Sequence, residues 1–242
     1  MDTRPCTEFG DAKMGDLSYM GKVLVIAPHP DDEILGCGGT IARLTQAGAE
    51  VVVAIVTRGM APQFSDEFVA AIRAEAKVSH DLVGIAETRY LDLPAAALET
   101  VPATKLNGTL AKLVQDVRPD TIFVPFVGDI HTDHQLTFLA AMVAARPRDT
   151  HAPQRIYAYE TLSETNWYAP GITPAFVPNV FIDISETLEL KLDAFRCFES
   201  QVKQFPDERS IEAIRALATM RGASMYLGAA EAFMLIRQID RL

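Results

Sequence analysis

The chain is short of the features that make many functions easy to assign. Only three of its 242 residues are cysteine, Cys6, Cys37 and Cys197. The number is odd and no pair has metal-ligand spacing, which excludes a disulfide framework and a cysteine zinc site and points to free thiols in a reducing compartment. Bases are outnumbered: 22 Lys and Arg stand against 32 Asp and Glu, for a net charge of −10, and no Lys/Arg cluster offsets this. Such a chain repels nucleic acid and anionic lipid at long range, so neither is an expected partner. The longest apolar runs, such as residues 51–56, are strand-sized, far below the ~20 residues of a membrane-spanning helix. The first twenty residues lack the apolar core of a signal peptide. A cytoplasmic protein without stable membrane insertion is the expectation. Internal repeats, low-complexity tracts and a G-x-S-x-G nucleophile elbow are all missing. Gly36-Cys37-Gly38-Gly39 lacks the G-x-G-x-x-G spacing of a dinucleotide fingerprint; these glycines are expected to allow close helix–sheet packing or backbone approach at the site.

What is present is core. Hydrophobic residues make up 49% of the chain and charged ones 22%, the balance of a folded α/β domain. We expect a loose N-terminal arm over 1–20 and a single domain over 21–242. Short β-branched runs at 22–27, 50–56, 89–93 and 121–125 read as strands, with 156–159 and 180–184 as further ones. Helical spacing predicts helices over 34–47, 66–83, 103–117, from after His134 to about 145, 187–198 and 210–222. Residues 232–236 fit strand or helix equally. Alternation of strand and helix predicts an α/β fold, a Rossmann-like doubly wound, mostly parallel sheet with helices on both faces. Loops at 61–67, 94–101 and 162–178 carry no decisive motif, though the length of the last suits a substrate wall.

Two polar loops carry the chemistry. Pro28-His29-Pro30-Asp31-Asp32-Glu33 follows the first strand, and Gly128-Asp129-Ile130-His131-Thr132-Asp133-His134 follows the fourth. In a doubly wound sheet of order 3-2-1-4-5 the first and fourth strands are neighbours, and ligands bind beyond their carboxyl ends, where strand order reverses. Three of the five histidines and five acids therefore converge on one crevice. Two histidines, one carboxylate and a water form a recurring catalytic zinc arrangement. His29 and Asp32 could chelate from one turn with His134 from across the sheet. Asp31 would then be free to act as general base. His131 could polarise a carbonyl or donate to a leaving amine, with Asp133 holding its imidazole. The parts suit metal-assisted hydrolysis of an amide. The competing reading of each loop is a turn and helix cap.

These residues resemble the PIG-L/LmbE-like family of zinc-dependent de-N-acetylases, whose marks are an (A/P)HPDDE segment after a strand and a later HxDH segment. Here they stand as Ala27-Pro28-His29-Pro30-Asp31-Asp32-Glu33 and His131-Thr132-Asp133-His134. Val56-Thr57-Arg58-Gly59, Arg73-Ala74-Glu75, Ser200-Gln201 and Ala230-Glu231-Ala232-Phe233 add support along the chain. The resemblance implies Zn2+, or another divalent metal such as Fe2+, on His29, Asp32 and His134. It implies Asp31 as base, and His131 backed by Asp133 at the oxyanion and leaving amine. The implied substrate is a small N-acetylated sugar of the N-acetylglucosamine type or its conjugate, releasing acetate, with Arg73 as a contact. Pro94-Ala95-Ala96-Ala97 departs from the family's usual Pro-Asp-Gly turn, so Asp92 is the stand-in for its acidic contact. Trp167 is a candidate for stacking on a sugar ring. Homo-oligomer assembly stays open. An amidase acting on a thiol conjugate or another acyl amide, and a metal-free Rossmann-type nucleotide-binding protein, are the alternatives.

Overall fold

A computed structural model of the chain describes residues 16–169 and 171–240. Its seven-stranded sheet is built from β1 (Val23–Ala27), β2 (Val51–Arg58), β3 (Glu87–Pro94), β4 (Thr121–Pro125), β5 (Arg155–Tyr159), β6 (Val180–Asp183) and β7 (Ala230–Gln238). The α-helices are α1 (Asp32–Gln46), α2 (Asp66–Val83), α3 (Ala103–Val117), α4 (Thr132–Ala144), α5 (Leu188–Arg196) and α6 (Ile211–Ala223). Strand order is β3-β2-β1-β4-β5-β7-β6. The first five strands are parallel, in the order expected, while β7 runs antiparallel to β5 and β6.

Both faces of the sheet are covered, which is why β1, β2 and β4 are continuous apolar runs rather than alternating ones. Alternate residues of β1 enter different cores. Val23, Val25 and Ala27 pack with α1, α2 and α5, while Leu24 and Ile26 pack with α3 and α4. The glycines of α1 serve this packing. A Cβ on Gly36 would lie 2.3 Å from Tyr159, and one on Gly39 would lie 2.8 Å from Ile184. The close approach of α1 to the sheet consumes the glycines, so they do not form a nucleotide cradle. The stretch at 232–236 lies inside β7. Ala230–Phe233 are buried on both sides, so their apolar residues are consecutive and carry no period. Most of the expected N-terminal arm lies outside the described residues. Its end, Ser18–Met20, forms a single 3-10 turn, with Leu17 and Met20 buried in the core. Among the described residues no helix is long and apolar enough to cross a membrane.

Candidate active site

The neighbouring β1 and β4 deliver their following loops to one crevice. Thr57 ties down the first loop, donating to the Pro28 carbonyl from both its amide (3.0 Å) and its hydroxyl (2.8 Å). Asp31 sits at the N-cap of α1 with φ 113° and ψ −29°, and its side chain makes no cap hydrogen bond. A left-handed backbone is costly for a residue with a Cβ and persists only where its surroundings enforce it. Here Glu33 does so. Its Oε2 accepts from the Asp31 amide at 3.1 Å, while Oε1 lies 2.8 Å from His80 Nε2, whose Nδ1 is 2.7 Å from Thr88 Oγ1. The twist turns the Asp31 carboxylate away from the helix end. The cap reading of the first loop therefore fails for Asp31. In the second loop, His131 does cap α4: its Nδ1 accepts from the Asp133 amide at 3.1 Å.

His29, Asp32 and His134 each offer a ligand atom within 4.8 Å of the others, as do His29, His131 and Asp133. Hydrogen bonding separates the two groups. The Asp133 carboxylate is already satisfied: Oδ2 meets His29 Nε2 at 3.0 Å and the Ala96 amide at 2.7 Å, and Oδ1 accepts from the Leu98 amide at 3.2 Å. In the first group Asp32 Oδ1 and His134 Nε2 are buried without a hydrogen-bond partner. His134 Nε2 lies 3.2 Å from Asp32 Oδ2, within ion-pair distance but without hydrogen-bond geometry. Asp32 Oδ2 is itself satisfied by the His29 amide at 2.9 Å; the two atoms left without a hydrogen bond, Asp32 Oδ1 and His134 Nε2, are costly to bury, and both suit a divalent cation. This donor set fits a metal better than it fits a self-contained network.

Each imidazole of the first group has a carboxylate behind it. Asp129 Oδ2 lies 2.8 Å from His134 Nδ1, which leaves Nε2 pointing at Asp32, and its Oδ1 accepts from Thr165 Oγ1 at 2.6 Å. Asp133 does the same for His29 at Nε2, leaving Nδ1 3.2 Å from Asp32 Oδ2. Such partners fix the tautomer and orientation of ligating histidines. Asp133 thus supports His29, where we expected it to hold His131. With Nδ1 an acceptor, a neutral His131 ring carries its proton on Nε2.

Electrostatics follow from burial and close packing. Burial opposes charge on His29, but its bonds to Asp133 and Asp32 outweigh this and push its pKa up to about 9. Burial likewise opposes charge on His134, and the Asp32 charge and the bond to Asp129 push it up to about 10. Asp32 is held well below the usual carboxylate range by His134 and His29, against its burial. Burial pushes Asp31 up to about 8, against the pull of the Arg209 guanidinium and with help from the Asp32 and Glu33 charges. His131 is pushed down, by burial first and then by the His29 charge.

Beside this cluster lies a cavity of about 210 Å³ lined by His29, Asp31 and His131 among others. Arg73 lines it too, stacked 4.3 Å over the Tyr90 ring and paired with Asp92. Trp167 does not line it; the indole donates to Glu208 at 2.6 Å. Sequence reasoning missed Asp129, Arg209 and the Glu33–His80 pair. Asp129 had a signal, an acid in the loop already singled out. Arg209 had none: it comes from the segment before α6, where its Nη1 donates to Asp31 Oδ2 at 2.8 Å and to Gln201 Oε1 at 2.9 Å.

Residues 24–145, half of the chain and the half with both loops, match the family model described as PIG-L: GlcNAc-PI de-N-acetylase. The chain belongs to the PIG-L family. PIG-L relatives extend the likeness beyond the matched half. Diacetylchitobiose deacetylase of Thermococcus kodakarensis is 31% identical over 198 residues, covering 77% of this chain and 71% of its own. A probable N-acetyl-alpha-D-glucosaminyl L-malate deacetylase 2 of Bacillus cereus is 30% identical over 191 residues, covering 75% and 84%. The structure of N,N'-diacetylchitobiose deacetylase from Pyrococcus horikoshii superposes with a TM-score of 0.71 at 25% identity, over 89% of this chain and 83% of that one. The fold of this PIG-L chain is therefore the α/β fold of that solved relative.

Proposed function

We propose that this chain is a metal-dependent N-deacetylase that hydrolyses the acetamide of an N-acetylglucosamine-type sugar, releasing acetate and leaving the amine. The observation that carries the reading is the pair of buried atoms without a hydrogen bond, Asp32 Oδ1 and His134 Nε2, beside an Asp31 carboxylate that stands outside that group. The names of the relatives support the substrate class. His29, Asp32 and His134 would hold the cation. A two-histidine, one-carboxylate set suits zinc, with Fe2+ as the alternative. When bound, the cation supplies Lewis acidity to the amide carbonyl and to an adjacent water.

The chain's own groups do the rest. Asp31 takes a proton from the attacking water; burial raises the pKa of its carboxyl, in the direction that lets such a group both accept and return a proton. His131, neutral and protonated on Nε2, donates to the carbonyl oxygen as charge develops there. A proton then passes to the departing nitrogen, so that water is added across the C–N bond. Arg209 holds the Asp31 carboxylate in the cavity wall, and Arg73 lies where it can meet a sugar hydroxyl.

The test is acetate release by metal-loaded protein, read alongside metal content. Asp31→Asn is expected to retain the metal and lose at least ~100-fold in kcat, the scale of a general base. Full activity in that variant would remove Asp31 as base. Stoichiometric nucleotide and no metal in the purified protein would overturn the hydrolase reading, and cleavage of thiol-conjugate amides without acetate release would redirect it.

A further inference from the structure

The cavity beside Asp31 is asymmetric. One wall is polar: Glu164, Gln201 and Arg209. The other is an apolar shelf of Phe64, Phe68, Val69 and Ile72, from the loop entering α2 and that helix's first two turns. Phe64 and Phe68 stack with ring centroids 5.8 Å apart and an interplanar angle of 29°. Ser65 Oγ caps α2 by accepting from the Phe68 amide at 3.1 Å, and Phe64 packs on Gly59, so the shelf is held by its own helix start. Phe68 is nevertheless 37% exposed, an aromatic ring left at the mouth of a site.

Two further observations bear on what covers it. The cations nearest the shelf are already paired, Arg58 with Asp66 and Arg73 with Asp92, so no uncompensated charge there asks for an anion. The floor beyond β3 is Ala95 and Ala96, which present methyl groups and no hydrogen-bonding side chain. The cavity, at about 210 Å³, is also smaller than the ~300–1,000 Å³ of common small-molecule sites. One acetamido sugar would fill it, and any group attached to that sugar must leave across the shelf.

Resting on the deacetylase reading, we infer that the substrate is an N-acetyl amino sugar joined to an apolar aryl or alkyl group, and that the Phe64–Phe68 shelf receives that group. Polar recognition is confined to the acetamide and sugar, where Asp31, His131, Gln201 and Arg209 gather. Affinity beyond the sugar comes from apolar area removed from water. A second bare sugar would present hydroxyls to this shelf and leave them unsatisfied there.

The experiment compares kcat/KM of the metal-loaded enzyme on the methyl, phenyl and octyl glycosides of N-acetylglucosamine and on N,N'-diacetylchitobiose, by acetate release. Phenyl and octyl glycosides are expected to exceed the methyl glycoside and the disaccharide by about tenfold or more, the scale for covering roughly 60 Å² of apolar area. The gain should lie in KM. Phe68→Ala should erase most of the difference between phenyl and methyl glycosides, and Phe68→Leu should restore part of it where Phe68→Asn does not. Because Phe68 is partly exposed, these variants should fold; melting curves verify it. Equal kcat/KM across the glycosides, preference for the disaccharide, or an unchanged phenyl-to-methyl ratio in Phe68→Ala would overturn the inference while leaving the deacetylase standing. No acetate from any of the four would instead overturn the reading beneath it. A phenyl preference without an octyl one would assign the shelf to aryl stacking, and an octyl preference alone to an acyl-chain-like group; both fall within the inference.

Discussion

Replacing Asp129 by alanine removes two hydrogen bonds from a fully buried carboxylate, the one to His134 Nδ1 at 2.8 Å and the one from Thr165 Oγ1 at 2.6 Å. The first fixes the proton of His134 on Nδ1 and aims Nε2 at Asp32. Without it the ring can carry its proton on either nitrogen, and only one of those tautomers binds a cation. Loss of an outer partner of this kind costs about 10–100-fold in metal affinity, or about 1.4–2.8 kcal/mol at 1.4 kcal/mol per decade. Asp129→Asn keeps an oxygen that can accept from Nδ1–H and an amide that can donate to Thr165, so only the charge is lost. Asn should fall near the low end and Ala near the high end of that range. The assay is competition for zinc against a chelator of known affinity, on protein stripped and refilled. Stability must be read separately, because Ala also leaves the buried His134 Nδ1 unsatisfied, at about 1–3 kcal/mol, while the half-buried Thr165 hydroxyl keeps its bond from the Thr161 amide; urea unfolding of the metal-free proteins supplies that correction. Metal affinity in Asp129→Ala equal to that of the parent would refute the argument, since His134 could then not be a ligand oriented by Asp129.

The remaining expectations bear on the same frame. His134→Ala should lose stoichiometric metal by elemental analysis; retained stoichiometry would shift the site to the His29, His131 and Asp133 group. At pH 7 the metal-free protein carries protons on both His29 (about 9) and His134 (about 10), so seating a cation should release about two protons, measurable by calorimetry in buffers of different ionisation heat. Both folded-state values lie above the ~6.5 of a free imidazole. Their contribution to metal-free stability is therefore full below about pH 6.5 and is lost as pH rises through 9 to 10, and Asp31, raised from 3.8 to about 8, acts with the same sign at lower pH. Melts of chelator-treated protein that grew more stable from pH 6.5 to 10 would contradict this. His80→Leu should destabilise by about 3 kcal/mol in urea unfolding, because it leaves the buried Glu33 carboxylate with only the Asp31 amide; kcat should fall with it as the Asp31 backbone relaxes, and an unaffected kcat would deny Glu33 its positioning role.

What could be read from the sequence follows the range over which each feature is determined. The helices at 66–83 and 103–117 and the strand at 121–125 match α2, α3 and β4 to the residue, because period, caps and breakers are local. The crevice was legible because parallel topology is nearly deterministic: once β1 and β4 are neighbours, the loops bearing His29 and His134 must face each other. The stretch at 232–236 was not legible, because it begins in the doubly buried part of β7 and its apolar residues run consecutively, with no period to display. The partners of the site residues were also hidden, for a different reason. Asp133 sits beside His131 in sequence, which suggested that it holds the His131 ring, yet in the fold its carboxylate backs His29 while its amide meets His131 Nδ1. Arg209 reaches Asp31 across 178 positions, through a segment with no regular structure. Motif letters therefore name the candidate groups, but the choice of which carboxylate orients which imidazole is made by tertiary packing. That choice is what divides labour among the acids here. Asp129 and Asp133 stand behind the two imidazoles and Asp32 stands between them. Asp31, turned by a left-handed backbone that Glu33 enforces, stays outside the His29–Asp32–His134 group and lines the neighbouring cavity.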